Sequence, residues 1–85
     1  MKRFVMAVRD SAAGVFGQPF FVPSIGLAKR SFADAVNSPG GGEALQSHPE
    51  DFELYHIGFY DDEEGLLESV KPVMLDRGKD VKVNK

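Results

Sequence analysis

Cysteine and tryptophan are absent from this 85-residue chain, and so is any long apolar run. Without cysteine there is no thiol nucleophile, no disulfide framework, no thiolate zinc site and no cysteine-held iron–sulfur cluster. Without about 18 consecutive apolar residues, no membrane-spanning helix is expected. Met1-Lys2-Arg3 leads into an alternating segment, not into an apolar stretch with a small-residue cleavage site, so the sequence reads as an uncleaved intracellular protein. Lysine and arginine are also missing from residues 37 to 70, a segment that holds nine Asp and Glu.

What is present is the composition of a folded domain: 42% hydrophobic and 27% charged residues. The length fits one compact domain, residues 1–85, with residues 72–85 read as an arm or flexible tail. A chain this short hides only about 60 to 65% of the surface that its unfolded form exposes, so a partner subunit is expected to supplement a modest core. The net charge of −3 conceals segregation. Residues 1–36 carry +3, residues 37–70 carry −9 and residues 71–85 carry +3. Folding decides whether the two basic segments form one surface or are interleaved with the acids.

Arg3 to Arg9 alternates with the period of a half-buried strand, with Phe4, Met6 and Val8 on one side and Arg3, Val5, Ala7 and Arg9 on the other. Asp10 to Pro19 reads as a loop. Phe20-Phe21-Val22 fits a short strand between two prolines. Ser24 is placed to cap a helix from about Ile25 to Val36, whose Ile25, Ala28, Phe32, Ala35 and Val36 form one apolar stripe. Asn37-Ser38-Pro39-Gly40-Gly41-Gly42 ends that helix. Phe52 to Tyr60 is the strongest strand, with Tyr55, Ile57 and Phe59 expected on one face and Phe52, Leu54, His56 and Tyr60 on the other. Asp61-Asp62-Glu63-Glu64-Gly65 reads as a hairpin turn leading into Leu66 to Val70. Pro72 interrupts regular pairing, and Lys79 to Lys85 fits an edge strand, a swapped arm or a tail. The expected architecture is α+β: a small antiparallel sheet of three or four strands packed by one central helix.

The residues give catalysis little to work with. His48, Glu50, Asp51 and His56 follow no familiar metal-ligand spacing and are read as structural, with no metal or cofactor expected. The Asp61 to Glu64 run is a hydrated turn, not a carboxylate pair with tuned acidity. Ser11, Ser24 and Ser31 lack a nucleophile elbow, and Gly40-Gly41-Gly42 lacks the lysine and hydroxyl of a phosphate loop. Nucleic-acid contact has more material. Lys2, Arg3, Arg9, Lys29 and Arg30, with Lys71, Arg77, Lys79, Lys82 and Lys85, make a basic surface if the two ends of the chain meet. Phe16, Phe20, Tyr55 and Tyr60 then supply rings on which unpaired bases can stack. The alternative is a protein-interaction or assembly adaptor that uses the second apolar strand face without touching nucleic acid.

Gln18-Pro19-Phe20-Phe21-Val22-Pro23, the Gly26 to Asn37 helix, His48-Pro49-Glu50-Asp51, Leu54-Tyr55, Gly58 and the Phe59 to Gly65 turn together resemble the small nonstructural protein of gokushovirus-type microviruses. The resemblance covers about residues 4 to 67. It implies a noncatalytic protein of a single-stranded DNA phage, labelled nonstructural or DNA-binding, that acts in genome replication or packaging in the cytoplasm of the infected bacterium. On that basis a homodimer that binds single-stranded DNA is expected, with a phage or host protein as a further partner.

Overall fold

The computed structural model describes residues 1–37 and 43–83. The Ser38 to Gly42 part of the expected loop, and Lys85, lie outside the described residues. Five antiparallel strands form one sheet that curls toward a barrel. They are β1 (Lys2–Asp10), β2 (Val15–Phe16), β3 (Phe20–Val22), β4 (Phe52–Asp61) and β5 (Leu66–Arg77). The helices are α1 (Ile25–Asn37), α2 (Glu43–Ser47) and α3 (Gly78–Val81), and a 3₁₀ turn (Pro49–Asp51) precedes β4. The sheet is four strands wide because β2 and β3 share one edge of β1, while β4 lies along its other edge and β5 along the far side of β4.

The expected Asp10 to Pro19 loop therefore contains a strand. Its turn repeats the chemistry of the acidic Asp61 to Gly65 turn. Asp61 Oδ1 accepts from the amides of Glu63 and Glu64 at 3.0 and 3.2 Å, and Asp10 Oδ1 accepts from those of Ala12 and Ala13 at the same distances. Each turn closes on a glycine with positive φ, Gly14 at 74° and Gly65 at 69°, where a side chain is disfavoured. An aspartate that satisfies two turn amides and a left-handed glycine four residues later is what both hairpins share.

Ser24 caps α1 as expected, its Oγ accepting from the Leu27 amide at 3.2 Å. The helix lays Ala28, Phe32 and Val36 on Met6, Val22 and Leu54, and all six are buried. Phe4, Val8, Phe20, Phe52 and Leu75 ring this core from the sheet, and Ile25, Leu45 and Val81 from the helical side. Burying a side chain the size of Phe32 or Leu54 contributes about 1.5 to 3 kcal/mol, so these few contacts hold most of the stability of so small a domain.

The alternation expected for β4 breaks at Ile57. Met6 faces His56 and Val5 faces Gly58, so Ile57 is an extra residue and the strand bulges. Phe59 consequently joins His56 on the helix-covered face, where its ring lies 4.9 Å from the imidazole and 5.3 Å from Phe4. Tyr60 moves to the opposite face, with Tyr55. At the same level β5 has slack: Ser69 pairs with Gly58 and Val73 with His56, leaving Val70, Lys71 and Pro72 without ladder partners. Proline is tolerated there because no strand needs its missing N–H.

Beyond Pro72 the chain continues β5 to Arg77 and turns into α3. Gly78 lies so close to Pro49 that a Cβ would collide with the proline carbonyl. Asn37, the last residue of α1, fixes the segment: its Nδ2 donates to the Ala33 and Val81 carbonyls, and its Oδ1 accepts from the Val83 amide at 2.8 Å.

Candidate nucleic-acid interface

The helices cover the Phe4, Met6 and Val8 side of the sheet, and the other side is open. Cross-strand register arranges that open side in rows. Phe16, Arg9, Glu53 and Arg77 form the first, followed by Ala7, Tyr55 and Met74. Phe21, Val5, Gly58 and Ser69 form the third, followed by Arg3, Tyr60 and Leu67. From Arg3 to Arg9 this face runs about 20 Å at strand rise.

Its aromatic side chains pair across the central strand. Phe16 on β2 meets Tyr55 on β4 with ring centroids 5.2 Å apart and planes at 70°, and Phe21 on β3 meets Tyr60 on β4 at 5.4 Å and 25°. Both pairs reach over β1, which presents only Ala7 and Val5 between them, and those small side chains are buried although no helix covers them. The rings keep accessible surface: Phe21 is 49% exposed and Phe16 43%. Beside the Phe21–Tyr60 pair lies an apolar groove of about 190 Å³, lined by Val5, Pro19, Phe21, Ile57, Gly58 and Leu67 among others. Gly58 is required at its floor, since a Cβ there would stand 2.5 Å from the Glu68 carbonyl oxygen.

Three arginines lie on this face. The Arg9 guanidinium stands 6.0 Å from the centre of the Phe16 ring, within cation–π range, and 3.6 Å from Glu53 Oε1. Arg3 Nε donates to Asp62 Oδ2 at 3.3 Å. Arg77 is exposed at the β5 end of the first row and forms no ion pair among the described residues. Asp62 also accepts from the Met1 ammonium at 3.0 Å, and Glu63 accepts from it at 2.8 Å. The Met1 hydrogen bond, ahead of Arg3, holds the Asp62 carboxyl below the ordinary range. Glu63 and then Asp62 raise the ammonium above its ordinary value.

The structure thus gathers Arg3, Arg9, Arg77, Phe16, Tyr55 and Tyr60 from the sequence-derived set. Phe20 lies elsewhere: it faces the helix-covered core, and its neighbour Phe21 takes the open position, because successive strand residues point to opposite faces. Lys2 is on the covered side, 3.4 Å from Glu68 and over the Phe59 ring. Lys29 and Arg30 are exposed on α1, and Lys79 belongs to α3. Just after α3, Lys82 donates to the Val36 carbonyl at 3.2 Å. Lys71 is exposed in the β5 slack. Phe21, Glu53 and Asp62 also take part in the face and are absent from the sequence-derived set. Period-two alternation could have found Phe21; Glu53 becomes visible only through cross-strand register, and Asp62 through the turn that brings it to Arg3.

Elsewhere, His48, Glu50 and Asp51 bring metal-capable atoms within 4.8 Å of one another around the 3₁₀ turn, with His48 Nδ1 3.6 Å from Glu50 Oε1. Among the described residues no helix is long and apolar enough to cross a membrane. No curated protein and no solved structure matches the chain. A family model described as "Phage ORF5 protein" does match, over residues 3–81, nearly the whole of the sheet and its helices, and the chain belongs to that phage protein family.

Proposed function

We propose that this phage protein binds single-stranded DNA along its open sheet face, without catalysis, during genome replication or packaging in the infected bacterium. The observation that carries the reading is the convergence of Phe16, Tyr55, Phe21 and Tyr60 on one uncovered surface bordered by Arg3, Arg9 and Arg77. Rings that bases can stack on, with cations spaced for phosphates, are what sequence-tolerant single-strand binding requires. The resemblance to gokushovirus-type microvirus proteins supports DNA over RNA, since those phages carry single-stranded DNA. A homodimer belongs to the proposal: β5 leaves Leu66, Leu67, Val73 and Met74 exposed on a domain with a small core.

A second reading is favoured by the ion pairs of Arg3 with Asp62 and Arg9 with Glu53, which neutralise part of the basic surface. In it, the face docks a phage or host protein through its apolar residues. The chain has no tryptophan, and both its tyrosines lie on this face, so intrinsic tyrosine fluorescence reports the site directly. Titration with a thymidine oligonucleotide is expected to quench that emission saturably, and a duplex of equal length to do so far less. An unchanged signal together with no binding by anisotropy overturns the DNA reading in favour of the adaptor. Native mass measurement tests the dimer, and a monomer throughout the working concentration range contradicts it.

A further inference from the structure

We infer that Glu53 and Asp62 are built-in competitors for phosphate: each carboxylate holds an arginine of the open face and so sets how tightly the face takes a nucleic-acid backbone. The inference rests on the single-strand reading above and specifies how that site is restrained. At one end of the face, the Asp62 carboxylate takes Arg3 and the Met1 ammonium at once. At the other, Glu53 lies between Arg9 on β1 and Arg77 on β5 in a single cross-strand row.

The geometry of the Glu53 contact is not that of a pair built for stability. Its Oε1 stands 3.6 Å from Arg9 Nη1, too far for a hydrogen bond, and this oxygen is buried with no other partner. A desolvated carboxylate oxygen without a hydrogen bond is unfavourable, and replacing it by a neutral group of the same shape costs little. What the carboxylate does supply is negative charge in the row between two arginines, which weakens their attraction for a phosphate at the surface. The two acids lie near opposite ends of a face about 20 Å long, so each restrains a different part of a bound strand.

The test compares the full chain with Glu53→Gln, Asp62→Asn and the double variant, binding a fluorescent thymidine oligonucleotide over a salt series. Asp34→Asn removes the same charge from the exposed surface of α1, on the covered side of the sheet, and controls for net charge. Each open-face variant is expected to bind about two- to fivefold tighter at low salt, and the double variant by about the product. Asp34→Asn should stay close to the parent. The gain should vanish in about 1 M salt, where the screening length falls to about 3 Å. Parent-like or weaker binding by Glu53→Gln and Asp62→Asn, with folded thermal transitions, overturns the inference while leaving the DNA reading standing. Loss of folding in Glu53→Gln also overturns it, since that would make Glu53 a structural residue. Absence of binding by every protein, parent included, overturns both.

Discussion

The ring of Phe21 lies nearly parallel to that of Tyr60, 5.4 Å away, although the two side chains rise from strands on opposite sides of β1. Two local features create the pair. A three-residue strand between prolines turns Phe20 into the core and Phe21 out, and the extra residue at Ile57 reverses the side of the sheet on which Tyr60 stands. If bases stack on this pair, Phe21→Ala should weaken single-strand binding by about 1 to 3 kcal/mol, roughly 5- to 150-fold. Phe20→Ala should instead act mainly on stability. Affinity and denaturant midpoint measured on both variants separate the two roles.

The opposite dissociation is expected beneath the helix. Leu54 and Phe32 are buried in the only core the described residues form, so Leu54→Ala should cost about 2 to 5 kcal/mol and Phe32→Ala about 3 to 5 kcal/mol. Either loss is a large share of the stability of a small domain, and urea titration followed by far-ultraviolet circular dichroism measures it.

Gly58→Ala tests the bulge. The new methyl group would meet the Glu68 carbonyl, which is backbone and cannot swing aside, so β4 and β5 must part at the level of the apolar groove. A loss of more than about 1 kcal/mol in stability is expected, together with weaker binding, because Ile57 and Tyr60 take their places from the same distortion. Gly26→Ala, in open space on α1, should be neutral or slightly stabilising in the same assay.

The Met1–Asp62 contact gives a pH signature. A carboxyl whose value is lowered on folding stabilises above its unfolded value, and the effect disappears as pH falls through the folded one. An ammonium whose value is raised stabilises below its unfolded value, and the effect disappears as pH rises through the folded one. With Asp62 lowered and the Met1 ammonium raised, the thermal midpoint of the parent should exceed that of Asp62→Asn most clearly between about pH 5 and 7. The difference should close as pH falls below the ordinary carboxylate range, and as pH rises past the ordinary ammonium range it should shrink to the part that Arg3, which stays charged, supplies. A midpoint difference that does not change with pH contradicts the contact.

Local rules made much of this fold readable. The alternation of Arg3 to Arg9, the Ser24 cap, the stripe of Ala28, Phe32 and Val36, and the Asp61 to Gly65 turn each state their structure within a few residues. Even the β1–β2 hairpin was written there, since Asp10 and Gly14 repeat the spacing of Asp61 and Gly65. The parity reversal at Ile57 was not, because a bulge arises from how two strands pair and leaves no mark in one strand's pattern. Nor was the docking of α3, which depends on Asn37 bonding to residues 44 and 46 positions away. Charge segregation along the chain raised the right question, but the answer came from register: cross-strand neighbours place Glu53 beside Arg9, and the acidic turn brings Asp62 to Arg3.

The most direct measurement is amide chemical-shift mapping of the isotope-labelled protein during titration with a thymidine oligonucleotide. Perturbations should concentrate on Arg3, Arg9, Phe16, Phe21, Tyr55, Tyr60 and Arg77 and leave Lys29 and Arg30 on α1 unchanged. Perturbations centred on α1, or none at saturating oligonucleotide, would contradict single-strand binding by the open face.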